Sequence, residues 1–103
     1  MVAGKVGVGV PETLQLAQNY PNPFNPSTVI KFGLPEDEIV SLKVFNTAGQ
    51  EVATLLDGPQ VRGYKEVKWN GRDRSGRLVA AGIYIYRLKV GAEILTNKMI
   101  FAK

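Results

Sequence analysis

Three short stretches gather side chains that do chemistry elsewhere. Glu36, Asp37 and Glu38 stand in a row, and two convergent carboxylates are what glycoside hydrolysis requires. They follow Pro35, however, in a turn sequence whose ordinary role is a solvated acidic tip. Asn70, Asp73 and Ser75 offer oxygens within one loop, the ligand type calcium takes. A calcium loop needs several carboxylates, whereas here Arg72, Arg74 and Arg77 crowd the single Asp73. An Asx-type turn, with Asp73 bonded to backbone or to an arginine, fits these residues better. The third stretch, Tyr20-Pro21-Asn22-Pro23-Phe24-Asn25-Pro26, has no reactive group but three prolines in six residues.

The rest of the chain narrows the chemistry further. Its 103 residues contain no cysteine and no histidine. That removes disulfides, thiol nucleophiles, Cys/His zinc sites and imidazole acid–base catalysis. No nucleophile stands beside a base. The expectation is a non-catalytic protein with no metal and no cofactor. Thirteen Lys/Arg against nine Asp/Glu leave a net charge of +4, interspersed along the chain, so nucleic acid is not an expected partner. The apolar runs are far too short to span a membrane. The absence of cysteine fits the cytosol and equally a bacterial surface.

The elements that must position these residues read as strands. Period-two alternation recurs in short runs separated by Gly, Pro and Asn clusters, over 13–19, 27–34, 38–46, 50–56, 63–70, 82–90 and 93–101. Ile30, Phe32 and Leu34 share one face, as do Val40, Leu42 and Val44. Asn46-Thr47-Ala48-Gly49 signals a hairpin, and Asp57-Gly58-Pro59 is read as the close of the strand before it. The predicted fold is an all-β, immunoglobulin-like antiparallel sandwich of about seven strands with no disulfide. The first, second and fifth strands form one sheet, the third, sixth and seventh the other, and the fourth is left open. Residues 12–103 form the domain. Residues 1–11 read as a flexible linker, or as an added leader on a piece of a longer protein, and carry no signal-peptide pattern.

Within this frame Trp69, Tyr84 and Tyr86 fill the centre. Trp69 and Tyr64 fall on opposite faces, which argues against a shared sugar-stacking platform. Proline lacks an N–H and fixes φ, so 20–26 cannot be a central strand. It is expected as an extended edge crossing with Tyr20 and Phe24 as apolar pegs and a cis bond among its X-Pro bonds. It serves as an edge guard or as a docking ledge whose stiffness keeps the entropy cost of binding low. On the last two strands, Ile83, Ile85 and Ile100 form a face too apolar for ordinary solvent exposure, with Ile39 or Phe45 joining it. A partner, the N-terminal linker or an edge strand covers that face. Lys98 and Lys103 add positive charge.

The run Gln18-Asn19-Tyr20-Pro21-Asn22-Pro23-Phe24-Asn25-Pro26-Ser27-Thr28 resembles the opening of the type A C-terminal sorting domain of the type IX secretion system. Leu42-Lys43-Val44-Phe45-Asn46-Thr47-Ala48-Gly49, Trp69-Asn70-Gly71-Arg72-Asp73, Ala81-Gly82-Ile83-Tyr84-Ile85-Tyr86 and the closing Lys98-Met99-Ile100-Phe101-Ala102-Lys103 resemble it too. The likeness covers about residues 14–103. Asn70 departs from the family's frequent Asp. The stretch from Trp69 to Tyr86 is also similar to the Ig-like domain of the flagellar hook-capping protein.

The resemblance implies a sorting and anchoring module of a secreted or cell-surface protein of Gram-negative bacteria. Its implied partners are an upstream cargo domain and outer-membrane translocon proteins. In many members a sortase-like peptidase and an anionic lipopolysaccharide take part as well. The candidate recognition residues are Tyr20, Pro21, Asn22, Pro23, Phe24, Ile83, Ile85, Lys98, Ile100 and Lys103. The alternatives are an accessory carbohydrate- or cell-envelope-binding module of a larger hydrolase, and a structural domain of the hook-capping type.

Overall fold

The computed structural model describes residues 9–103. The linker expected at 1–11 falls mostly on residues 1–8, outside the described residues. Seven strands follow in order: β1 (Gln15–Leu16), β2 (Thr28–Leu34), β3 (Glu38–Phe45), β4 (Glu51–Gln60), β5 (Gly63–Trp69), β6 (Gly82–Val90) and β7 (Glu93–Phe101). They form two antiparallel sheets, β1-β2-β5 and β4-β3-β6-β7. The expected partition holds, and β4 joins the second sheet.

Alternation decides which way each strand faces. Ile30, Phe32 and Leu34 on β2, Val40, Leu42 and Val44 on β3, and Tyr86 and Leu88 on β6 are buried, with no more than 2% exposure. The side chains that alternate with them point outward, as the pleat requires. Trp69 sits at the centre of an aromatic cluster. Its ring centroid lies 5.6 Å from both Phe24 and Tyr84, and Phe24 stacks on Phe101 at 5.0 Å. Burying a side chain the size of phenylalanine contributes roughly 1.5–3 kcal/mol, so this cluster and the aliphatic layers stand in for the missing disulfide. The Asn46–Gly49 turn closes as expected, with Gly49 at φ 83° and the Asn46 carboxamide accepting from the Ala48 and Gln50 amides at 3.0 Å each.

Three expectations are corrected. The first strand is not 13–19 but the two-residue Gln15–Leu16. Ala17 and Tyr20 still bond to β2, whereas Gln18 and Asn19 between them turn to the other sheet. The Gln18 side chain donates to the Lys98 carbonyl at 2.6 Å, and the Asn19 amide donates to the Tyr86 hydroxyl at 2.8 Å. Nor does the fourth strand close at Asp57-Gly58-Pro59. It runs to Gln60, with Val40 opposite Gly58 and Ile39 opposite Pro59. β4 is an edge strand, so a proline costs it no ladder bond when its nitrogen faces outward. Finally, Tyr20 is not a buried peg. It is 80% exposed, because it pairs with Val29, whose side chain lies on the outer face of its sheet.

Upstream of β1, Pro11 is buried over Gly33, whose lack of a side chain makes room. A Cβ there would lie 2.9 Å from the Pro11 ring.

Candidate functional site

The proline-rich segment closes one side of the sandwich. Its three X-Pro bonds, at Pro21, Pro23 and Pro26, are cis. The Phe24 amide donates to the Ile100 carbonyl at 2.9 Å, and the Ala102 amide donates to the Phe24 carbonyl at 3.0 Å. Phe24 thereby makes a parallel bridge to Phe101. One step earlier the Asn22 carboxamide accepts the Ile100 amide at 2.8 Å. The C-terminal end of the outer edge of β7, which would otherwise offer open donors and acceptors to any passing strand, is covered by this chain's own residues.

A buried polar network holds the segment in place. Asn19, 2% exposed, donates through its side chain to the Pro21 carbonyl at 3.1 Å and to the Thr28 hydroxyl at 3.0 Å. The Tyr86 hydroxyl donates to the Ala17 carbonyl at 2.7 Å. The Asn97 carboxamide reaches the Leu16 and Ala17 carbonyls at 3.3 Å. Burial pushes the Tyr86 phenol above its ordinary pKa, against the opposing pull of Asn97 and Asn19. Asn19 and Asn97, and the hydrogen-bonding role of the Tyr86 hydroxyl, escaped the sequence reading because the bonds that join the two sheets here span 67 to 81 positions. The only signal was a polar pair, Gln18-Asn19, interrupting an apolar alternation.

The outer face of β3, β6 and β7 carries the apolar surface. Ile83 stands opposite Ile100, and Ile85 stands between Phe45 on β3 and Lys98 on β7. Ile83 is 47% and Ile100 43% exposed. The Arg87 guanidinium covers the Phe45 ring at 4.4 Å, a cation–π contact. Phe45 therefore joins the patch. Ile39 does not. It lies six residues away along β3, about 20 Å at the strand rise, with Lys43, Arg87 and Lys89 intervening on the same face.

Two groups of candidates thus meet. Asn22 and Ile100 are hydrogen-bonded, so the exposed Pro21, Asn22 and Pro23 border the face that bears Ile83, Ile85, Lys98 and Ile100. Lys103 is exposed two residues beyond Phe101. One candidate is removed. Phe24 is 1% exposed, held in the core by Phe101 and Trp69, and no partner reaches its ring.

The 70–79 loop is an Asx turn. One Asp73 oxygen accepts from the Ser75 and Arg77 amides at 2.9 and 3.0 Å, and the Arg77 side chain lies 4.0 Å from the other. These bonds, the Arg77 amide foremost, hold the Asp73 carboxyl below its ordinary range. Among the described residues no group of three carboxylates is placed to hold a metal ion. Trp69 donates to the Arg72 carbonyl at 3.0 Å and is 2% exposed, whereas Tyr64 is 51% exposed, so the two share no flat platform. In the acidic turn Asp37 accepts the Arg62 amide at 2.9 Å, which ties the ends of β3 and β5 together.

Architecture and surface define an immunoglobulin-like sandwich that seals its last strand with its own leading segment. Within that class, the chain belongs to the FlgD Ig-like domain family, whose model matches residues 22–93. No curated protein matches the sequence. Three solved structures show the same fold. Dimeric latent PorU from Porphyromonas gingivalis superposes with a TM-score of 0.71 at 22% identity, over 87% of this chain and 9% of that one. PorZ of the same organism, described as an essential surface component of the type-IX secretion system, gives 0.57 at 20% identity, over 89% and 12%. FlgD from Xanthomonas campestris, described in connection with flagellar hook capping, gives 0.59 at 20% identity, over 95% and 70%. The chain therefore spans only a small part of PorU and PorZ.

Proposed function

We propose that this domain is a non-catalytic sorting module, read by outer-membrane translocon proteins of the type IX secretion system, which carries an upstream cargo to the cell surface or outside. The observation that supports this reading is the continuity between the Pro21–Pro23 rim and the apolar face of Ile83, Ile85 and Ile100. A rim fixed to the β7 edge by the Asn22 side chain and by the Phe24 backbone beside it keeps its shape before binding, so little ordering entropy is lost on contact. Apolar area beside it supplies the attraction. Lys98 and Lys103 favour an acidic receptor surface. In this reading a sortase-like peptidase and an anionic lipopolysaccharide act upstream of the domain, on the released cargo.

The test is a fusion of the whole chain behind a signal peptide and a reporter, in a host with this secretion system. Export of the reporter is expected. An Ile83→Asp/Ile85→Asp variant should keep its fold and strand the reporter in the periplasm. A wild-type fusion that stays in the periplasm contradicts the proposal.

A second reading is a structural domain of the hook-capping type, supported by the family match over 22–93. It predicts no export of the reporter, together with assembly of the domain at the tip of the flagellar hook.

A further inference from the structure

The four sheet edges are treated unequally. β7 is covered at its C-terminal end, Ile100–Ala102, by Asn22–Phe24. β1 is two residues long. β4 has two register irregularities and Pro59, and its Val52 carbonyl is taken by the Arg74 amide. Among the described residues β5 has none of these devices; the Gly9 carbonyl approaches only its first residue, Gly63. It is a seven-residue strand, in regular register with β2 throughout, and contains no proline.

The direction of its backbone groups follows from the far side of β2. Val29 exchanges both backbone bonds with Tyr20, and the Lys31 carbonyl accepts from Ala17, so these two residues direct their backbone groups away from β5. Their partners on β5, Lys68 and Glu66, must then direct theirs away from β2. By alternation Tyr64 does the same. Among the described residues these amides and carbonyls have no backbone partner.

The surroundings are cationic. Glu66 is engaged by Lys31 at 3.7 Å. Among the described residues no carboxylate lies within 4.0 Å of Lys65, Lys68 or Arg72. Beside β5 a cleft of about 750 Å³ opens between the two sheets, lined by Ala53, Leu55, Lys68 and Arg72 and also by Asp73, whose carboxylate is engaged by the Ser75 and Arg77 amides. A strand laid along β5 would send alternate side chains into this cleft and the others over the outer face beside Tyr64 and Lys68. Apolar residues suit the first set, and carboxylates suit the cations at the rim.

We propose that the free edge of β5 takes up an extended peptide of alternating apolar and acidic residues as an added strand. Main-chain bonds would provide affinity, and the two side-chain sets selectivity. This surface lies on the opposite sheet from the sorting face and does not depend on that reading.

The probe is a synthetic peptide of alternating glutamate and valine, titrated into the isotope-labelled full chain. Shifts centred on the Tyr64, Glu66 and Lys68 amides are expected, with affinity falling as salt is added. Lys68→Glu should weaken binding about tenfold, the scale of one charge-assisted hydrogen bond. Glu66→Pro removes a single outward amide without touching the β2 ladder, and should abolish binding while the β2 shifts stay in place. Equal binding of a lysine–valine peptide, or shifts centred on β6 and β7, would overturn the proposal. So would unchanged affinity in the Lys68→Glu variant, which keeps the proposal testable should the proline variant unfold. Protection of the Tyr64, Glu66 and Lys68 amides from exchange in the peptide-free protein, whether by a second copy or by the chain itself, also overturns it.

Discussion

The Tyr86 hydroxyl accepts the Asn19 backbone amide at 2.8 Å and donates to a carbonyl two residues earlier, Ala17, at 2.7 Å. A single oxygen on β6 thus fixes the point where the chain leaves one sheet for the other. Tyr86→Phe keeps the ring and its packing but orphans the buried Asn19 amide and leaves the Ala17 carbonyl only its 3.3 Å bond from Asn97. The expected cost is about 1–3 kcal/mol, read as a lower urea midpoint with an unchanged slope. Hydrogen exchange should speed up first at residues 18–24, because this network ties that segment to the core.

The same phenol makes stability depend on alkaline pH. Burial raises the folded-state pKa of Tyr84 and Tyr86 above the ordinary value of 10.0. Between the unfolded and folded pKa values the unfolded chain binds fewer protons, so stability falls as pH rises there. The contribution of the two phenols should therefore be constant below about pH 10 and be lost as pH climbs through the folded values. Urea midpoints measured across this range should show a weaker decline in Tyr84→Phe/Tyr86→Phe than in the parent. An identical decline would assign it to other groups.

Tyr20 and Phe24 flank the same prolines and have opposite fates. Phe24→Ala empties a site enclosed by Phe101 and Trp69 and should cost about 3–5 kcal/mol. Tyr20→Ala, at a position 80% exposed, should change stability by no more than about 0.5 kcal/mol. Thermal denaturation of the two variants side by side checks both. If Tyr20 instead serves recognition, its loss appears only in the export assay.

That contrast marks what the sequence could disclose. Strands β2, β3, β6 and β7 were legible because local alternation alone sets which face is buried, and Val40, Leu42, Val44, Tyr84 and Tyr86 followed from it. The inward turn of Phe24 was not distinguishable from that of Tyr20. It depends on pairing with Ile100 and Phe101, more than seventy positions away, and both aromatics sit in equivalent proline contexts. Likewise, alternation placed Ile39 and Phe45 on one outer face, but only the register with β6 shows that Phe45 lies beside Ile85 and Ile39 does not. The strand through Gly58 and Pro59 was hidden because an edge position, which makes proline harmless, is a property of the sheet and not of the segment.

Asp73 supplies an acid-side counterpart that separates loop from core. Its folded-state pKa lies below the ordinary 3.8, chiefly because the Arg77 amide and then the Ser75 amide donate to it, with the Arg77 charge adding to them. A lowered value means that the stabilisation is present above the unfolded pKa and is lost as pH falls through the folded one. Acidification below about pH 4 should therefore release the Ser75 and Arg77 amides while β2, β3 and β6 hold, since no buried strand residue there depends on this carboxylate. Asp73→Asn keeps an oxygen acceptor for both amides and removes the titration. Its Ser75 and Arg77 amide shifts should be flat over the range where the parent's move. Simultaneous loss of sheet signals in the parent would show instead that the turn and the core unfold as one unit.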